Sequence, residues 1–501
     1  MQAGHALFQL IGTLSPSEKR NFRIFAGRHV IGEENKYLEL FDAIVANADD
    51  AQFFQRPAHQ HFNHNFSYNA HYLYQLILRS LQSFHYEAHP SQQMRSLMDK
   101  MELLMQRQLY DQADKLYRKL MKEAEKLEDF GMMLQGLQIK RQWLRSMGDK
   151  SIWEELPAIH DKIAFVLAQI ANENDIGQCY SQFFLVTQNQ LYLNKTDEDA
   201  ALQAILGRPI LQDEGKVKTF NGRIAWHFIH AFNHTLKARH PEAEPHFRRL
   251  VQIWEEQPRQ IALQPERYAM TIVDLLNCWH SLDRYEDFEA YLTTIRRLSG
   301  LPTAGAQRIH WIITNLEVLF FLNTLRIDDA NEVVKRWEDV LHQNENRVSE
   351  VSILSFSFNI SLLYFIQENF SISLKWVNRI LNHPRTLARS DVQRFARTLY
   401  LVLQIELDNL ELLETELANA RRALQQTGFN VLEKALLSLL GKLIVRPKSE
   451  RRRHQLRFSE TLMDISQSGD IPFGLQEMSI WIKSRLEGRS MAQQLRLANP
   501  S

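Results

Sequence analysis

Three histidines fall on one side of the segment WHFIHAFNH, residues 226 to 234. His227, His230 and His234 are three and four residues apart, the spacing that places side chains on one face of an α-helix. Imidazole is a common ligand of zinc and other transition metals, so this face is a candidate metal site. Successive helical turns place the rings in a row rather than around one point. We therefore expect a polar face that is solvated or lines a groove, opposite an apolar face formed by Ile224, Phe228, Phe232 and Leu236.

A second histidine-rich segment, HQHFNHNFSYNAH, contains His59, His61, His64 and His71. A metal site needs converging ligands and usually a carboxylate or thiolate as well. This segment spans a predicted loop and the start of a helix, so its histidines are not expected to converge, and it contains no carboxylate or thiolate. The sequence therefore predicts no metal and no cofactor for this protein.

The basic segment RPKSERRRHQLR is a candidate phosphate-binding site. Glu450 is its one acidic residue, and its cations are Arg446, Lys448, Arg451, Arg452, Arg453 and Arg457. No interleaved aromatic residues and no groove-reading motif accompany it. The alternative is a solvated turn and helix start, so contact with nucleic acid is not the expected function.

Motifs that carry recognisable enzyme chemistry are missing from the sequence. It contains no G-x-x-x-x-G-K-[ST], no G-x-G-x-x-G, no H-E-x-x-H and no G-x-S-x-G. The acidic residues and histidines are scattered without fixed spacing. The sequence therefore predicts a protein that is not an enzyme and has no catalytic residues.

Composition indicates where such a protein works. Lys plus Arg and Asp plus Glu both total 59, so no global charge attracts nucleic acid or an acidic surface. Cys179 and Cys278 lack a C-x-x-C partner, which suits a reducing compartment. The opening segment lacks the features of a signal peptide, and no 18-residue apolar run follows. We expect a cytoplasmic protein without a membrane partner.

Helical patterns dominate the elements that must position these residues. Pro and Gly are sparse, and neither occurs from Ala306 to His383. Ser15 and Glu18 have the spacing of a capping box, which predicts a helix start at Pro16. The segment ILSFSFNISLLYF alternates with a period of two, as strands do, yet a helical face also fits it, and we predict a helix.

A quartet of residues recurs along the chain. Tyr110, Ala113, Tyr117 and Leu120 share one helix face, at offsets of three, seven and ten residues from the first. Degenerate copies begin at positions 153, 198, 240, 285, 327, 370 and 410, and the intervals run from 40 to 45 residues. Each copy follows a helical stretch. This predicts an all-α array of units, each built as helix, short turn and helix.

The segments LYDQADKLYRKL and NFSISLKWVNRIL, the latter followed by Pro384, resemble the second helix of a tetratricopeptide repeat. The resemblance covers about residues 95–445, with units longer than the usual 34 residues. It implies a right-handed superhelical solenoid of about eight hairpins. The expected domains are a helical N-terminal cap (1–90), the repeat array (91–445), and a basic segment with C-terminal capping helices (446–501). The N-terminal segments LSPSEKRNFRIF and YLYQLILRSL also resemble a bacterial group of helical-repeat proteins without a defined function.

Resemblance to tetratricopeptide arrays implies a concave groove that binds a peptide or a partner helix. The positions transferred from the quartets are Arg141, Arg145, Gln182, Asn189, Phe228, Phe232, Asn277 and Asn315. Arg and Asn would hydrogen-bond the carboxylate and backbone of a peptide, and the Phe pair would add apolar contact. The expected function is a scaffold that binds a protein or peptide. The alternative is a nucleic-acid-linked regulator with a peptide-sensing repeat domain.

Overall fold

The computed structural model describes most of the chain as α-helix. It describes residues 2–27, 36–46, 66–85, 90–147, 154–188, 195–299, 303–344, 350–383, 390–425, 430–445, 448–467 and 472–498. These residues form 24 α-helices and no strand. The prediction of an all-α protein is confirmed, whereas the solenoid arrangement and the number of repeats stay predictions.

The chain divides into two compact units. The first comprises Met1–Cys278 with Leu298–Ala306, and the second comprises Trp279–Arg297 with Gln307–Ser501. The helices up to the first boundary are α1 (Gln2–Thr13), α2 (Pro16–Gly27), α3 (Lys36–Ala46), α4 (Phe66–His85), α5 (Pro90–Gln106), α6 (Tyr110–Lys126), α7 (Phe130–Met147), α8 (Leu156–Gln188), α9 (Lys195–Leu206), α10 (Phe220–Leu236), α11 (His240–Glu255), α12 (Pro258–Leu263) and α13 (Pro265–Ser281), which contains the boundary.

Three apolar cores stabilise the first unit. Helices α1 to α4 share one around Phe41 and Ile77, both with no exposed surface. Helices α5 to α8 share a second around Met101 and Leu137. The third joins α8, α9 and α10 around Cys179. In the second core, helices adjacent in sequence supply most of the contacts, so its pairings are local, whereas in the first core α4 packs mainly on α1 and α2.

The second unit repeats this local pairing. Its helices are α14 (Phe288–Arg296), α15 (Thr303–Asn323, which contains the other boundary), α16 (Ile327–Asn344), α17 (Glu350–Ile366), α18 (Phe370–Leu381), α19 (Ser390–Glu406), α20 (Leu410–Gln425), α21 (Val431–Val445), α22 (Lys448–Gln467), α23 (Leu475–Glu487) and α24 (Met491–Ala498). From α16 to α24 each helix packs on the next, and α19 also contacts α17 and α21.

Two local predictions are confirmed. The Ser15 N–H donates to Glu18 Oε2 at 2.7 Å and the Glu18 N–H donates to Ser15 Oγ at 3.3 Å, which is the reciprocal pair of a capping box. The segment ILSFSFNISLLYF lies in helix α17, which is buried on nearly every side. Because both faces of α17 pack against protein, its sequence lacks the polar stripe that marks a surface helix.

Seven inter-helix turns share one backbone geometry. Each contains a residue other than glycine with φ between 51° and 61°, the left-handed region. In the first, the Leu109 N–H bonds the Leu104 carbonyl at 2.9 Å and the Gln108 N–H bonds the Met105 carbonyl at 2.9 Å. This is the Schellman arrangement, and the left-handed residues are Gln108, Glu128, Ala238, Asp283, Leu325, Glu368 and Asp408.

The turns explain the predicted quartets. Helices α6, α11, α16, α18 and α20 begin at positions 110, 240, 327, 370 and 410, two residues after a left-handed residue. The quartet at 285 precedes helix α14, which begins at Phe288. At the quartet at 153, Leu156, His160 and Ile163 lie at the start of α8, a continuous helix of 33 residues that packs on α7. Gly177 lies within this helix.

Replacing Gln108 by Gly is expected to stabilise the α5–α6 hairpin by about 0.5–1 kcal/mol, because glycine adopts positive φ without steric cost. Amide hydrogen exchange of α5 and α6 should then slow by about two- to fivefold. The matched control is Gln106→Gly at the end of α5, where the backbone is helical and glycine should lower protection. Equal effects of the two substitutions would contradict this prediction.

Candidate functional site

Helices α8, α10 and α13 present a face of aromatic and charged side chains in the first unit. We call it the α8–α10–α13 face and define it by Glu173, Gly177, Tyr180, Ser181 and Gln182 on α8, Phe228 on α10, and Arg267 and Asp274 on α13. Helix α10 begins at a Thr219 cap, whose hydroxyl accepts from the Gly222 N–H at 3.0 Å. Packing of α8 on α10 fixes the two helices side by side.

Aromatic rings form the centre of this face. The Tyr180 ring lies 5.1 Å from that of Phe228, and the Phe228 and Phe232 rings are 4.2 Å apart. Phe232 also meets Phe247 of α11 at 5.5 Å. Tyr180 and Phe228 are half-buried. Phe232 therefore anchors the pair to the core, while Tyr180 and Phe228 retain surface that a ligand can cover.

A shallow groove of about 590 Å³ runs along α8, the helix that carries Tyr180. Its lining among the described residues is Ile170, Glu173, Asn174, Gly177, Gln178, Ser181 and Gln182. Gly177 and Ser181 are small, and one helical turn separates them. The groove therefore lies over the part of α8 where the side chains are shortest.

Arg267 is held by neutral groups. Its Nη1 donates to Asn221 Oδ1 of α10 at 3.1 Å and to Gln264 Oε1. Its guanidinium lies 5.7 Å from the Trp254 ring. These contacts fix the cation at the N-terminal end of α13 and tie α13 to α10.

Asp274 follows Arg267 by two helical turns on the same side of α13. Asp274 is half-buried, and its carboxyl has no hydrogen bond and no ion pair with any residue that the structure describes. Burial raises the pKa of this carboxyl to about 7. Burial also raises the pKa of the Tyr180 phenol. The charge of Arg267 lowers this pKa and the charge of Asp274 raises it, so the phenol lies within electrostatic range of both groups.

The predicted groove residues fall in different surroundings. Gln182 is exposed in the α8 groove, and Phe228 and Phe232 form the ring pair of the face. On α7, Arg141 is half-buried and Arg145 exposed, and on α13 Asn277 is exposed. In the second unit, Asn315 accepts from Asn359 Nδ2 at 2.7 Å, an inter-helix hydrogen bond. Asn189 lies outside the described residues. Binding by these residues stays a prediction.

Sequence reasoning missed Tyr180, Arg267 and Asp274. A signal for Asp274 was present: it is the one charged residue in the run YAMTIVDLLNCW. A charge within an apolar helical run is costly to bury and therefore marks a position with a specific role. No comparable local signal exists for Tyr180 and Arg267, because α8 and α13 are brought together only by folding.

The histidine face of α10 differs from the prediction. His227 is 5% exposed, His230 and His234 are half-buried, and all three rings lie near the His246 ring of α11, at centroid distances of 5.4, 5.4 and 6.0 Å. The face is therefore neither solvated nor part of the groove. The reason is that α11 folds back on α10 and packs against it extensively.

Hydrogen-bond partners define the tautomers of this cluster. His227 Nε2 lies 3.1 Å from Glu214 Oε1, and His230 Nε2 lies 3.1 Å from the Leu211 carbonyl. A carboxylate and a carbonyl only accept, so both Nε2 atoms carry the proton. The neutral His227 ring then accepts at Nδ1, 3.1 Å from His246 Nδ1, and His246 donates. The His227–His246 contact requires that the accepting ring, His227, is neutral.

Burial favours the neutral imidazoles of His227, His230 and His246. It lowers the pKa of His246 to about 4, and His227, His230 and His234 lower it further. Burial also lowers the pKa values of His227 and His230, against the opposing effects of Glu214 on the first and of the Leu211 carbonyl on the second. Arg249 and Arg223 add to the lowering at His227.

The other candidate sites lie apart from this face. Among the described residues, no group of three or more His, Cys, Asp or Glu side chains is arranged to hold a metal ion. His59, His61, His64 and Arg446 lie outside the described residues, and His71 is exposed on α4. In the basic segment, Arg452, Arg453 and Arg457 are exposed on α22, whereas Arg451 and His454 are half-buried.

A comparison with models of known protein families found no match, and neither curated proteins nor solved structures gave one. Within the described parts of the chain, no helix combines the length and the apolar character needed to cross a membrane.

Proposed function

We propose that the protein is a scaffold that binds a peptide or an extended protein segment on the α8–α10–α13 face. The observation that carries the proposal is the combination, on one surface, of half-buried aromatic rings, a groove and a charged side chain that has no partner among the described residues. Buried charge normally has a partner, and an unpartnered one beside aromatic surface marks a candidate binding site.

The composition of the face favours a peptide. Tyr180 and Phe228 offer flat apolar area, while Gln182 and Ser181 offer hydrogen-bonding groups to a backbone that passes along α8. The resemblance of the sequence to tetratricopeptide arrays supports the same function, because such arrays bind peptides in a groove lined by helices. The groove is shallow and its described lining spans three turns of α8, which suits a ligand chain that lies on the surface.

The test is selection of binders from a phage-displayed library of random 12-residue peptides, followed by affinity measurement with the synthetic peptides. Ser181→Arg places a long cation in the groove at an exposed position, so we expect it to weaken binding at least tenfold. Phe228→Ala should weaken binding similarly, because it removes half of the ring pair with Tyr180.

The matched control is Ala168→Arg, which introduces the same side chain at an exposed position of α8 away from the groove. It should leave the affinity unchanged, and circular dichroism should show the same helix content in all variants. Selection of no peptide, or equal affinity for the Ser181→Arg and Ala168→Arg variants, would contradict the proposed function.

A further inference from the structure

We infer that the ligand segment carries a lysine or arginine whose cationic group pairs with the Asp274 carboxylate on the α8–α10–α13 face. This inference rests on the proposed function and adds the chemical class of the partner. It follows from three features of the face: a carboxylate that the described residues leave without a partner, a cation on the same side of α13 that is engaged elsewhere, and aromatic rings, of which Tyr180 lies within electrostatic range of the carboxylate.

The carboxylate is the first feature. Asp274 has neither a hydrogen bond nor an ion pair among the described residues, although it is half-buried. A carboxylate in such a position loses hydration without gaining a partner, and its pKa of about 7 reflects that loss. A cation from a ligand would restore the missing interaction.

The cation of the protein itself does not fill this role. Arg267 donates to Asn221 and Gln264 and lies against the Trp254 ring, so its guanidinium is fixed beside α10 and α11. Glu173, which faces the α8 groove, adds a second carboxylate within electrostatic range of Arg267. Two carboxylates and one cation leave the face with a net negative charge when Asp274 is ionised.

The rings suit the same ligand group. An ammonium or guanidinium is attracted to the face of an aromatic ring, and Tyr180 and Phe228 retain exposed ring surface. Tyr180 is also within electrostatic range of Asp274. A basic side chain could therefore contact a ring with its stem and the Asp274 carboxylate with its charged end.

The experiment uses peptides selected from the random 12-residue library on the full-length protein. We expect a Lys or Arg at one position of the peptides whose binding is lost in the Ser181→Arg variant. Replacing that Lys by norleucine, or that Arg by citrulline, should weaken binding to the wild type at least tenfold. The same replacement should change binding to the Asp274→Asn variant less than threefold, because the partner charge is already absent.

Two further measurements separate pairing from a structural effect. Glu102→Gln removes an exposed carboxylate from α5 and should leave affinity for the basic peptide unchanged. Between pH 6 and pH 8 the wild type should bind the basic peptide increasingly tightly as Asp274 ionises, and the Asp274→Asn variant should lose this increase.

The outcomes distinguish the two proposals. Peptides that lose binding with Ser181→Arg but lack a basic residue, or that bind the Asp274→Asn variant as tightly as the wild type, would overturn this inference and leave the proposed function standing. If no peptide distinguishes the Ser181→Arg variant from the Ala168→Arg variant, the proposed function fails and this inference fails with it.

Discussion

Lowering the pH from 7.5 to 5.0 is expected to destabilise the α10–α11 hairpin, and His246→Asn is expected to remove much of this loss. In the folded protein burial lowers the pKa of His246 to about 4, whereas an unfolded histidine has a pKa near 6.5. At a pH between these two pKa values, the unfolded chain binds more protons than the folded protein. The free energy of unfolding therefore falls as the pH falls below about 6.5.

The expected size is about 1–2 kcal/mol for His246 at pH 5.0, because its ring is only partly buried and solvent screens part of the effect. His227 and His230 add losses in the same direction. The Asp274 carboxyl acts in the opposite direction, because its pKa is raised to about 7 and the folded state binds more protons there. Burial also raises the pKa of Glu477, so this carboxyl acts in the same direction as Asp274. The informative quantity is therefore the difference between variant and wild type at each pH.

Local hydrogen exchange, corrected for intrinsic rates, should be measured for peptides from α10 and α11, because a chain of this length need not unfold in one step. The amide introduced by His246→Asn retains a neutral donor but cannot titrate in this range. The control is His160→Asn at an exposed position of α8. An acid-induced loss of protection in α10–α11 that is the same in all three proteins would contradict this account.

Replacing Gly474 by Ala is expected to cost about 3 kcal/mol or more, through backbone strain and overpacking together. Gly474 caps the start of α23 with φ of +92°, where an L-residue is strained. A Cβ at this position would also overlap the Phe395 ring. That ring is 4% exposed and lies 5.7 Å from Phe473, so it has little room to move.

Gly488 provides the matched control, since it ends the same helix with φ of +67° and a Cβ there would meet open space. Gly488→Ala should cost only the backbone strain, about 1–2 kcal/mol. In a Phe395→Ala background the cost of Gly474→Ala should fall to that level. Equal losses of thermal stability for the two single glycine variants would show that the overlap with Phe395 is relieved without cost.

The sequence by itself determined the helices and many of their first residues. The starts at Pro16, Tyr110, His240, Ile327 and Phe370 follow from capping residues and apolar spacing within a few positions of each start. The left-handed turns before four of them were not visible, because they use Gln, Ala, Leu and Glu rather than glycine. Their geometry is stabilised by Schellman hydrogen bonds between backbone groups, which leave no side-chain signature in the sequence.

Only the tertiary structure decided which polar faces are buried and which remain available. The spacing of His227, His230 and His234 correctly placed them on one side of a helix, but whether water or another helix covers that side depends on where α11 folds. Likewise, the sequence placed Asp274 among apolar residues, and only the assembly of α8, α10 and α13 brought Tyr180 within its electrostatic range. Helical periodicity is a local property, whereas burial and electrostatic neighbours depend on residues that are far apart in the chain.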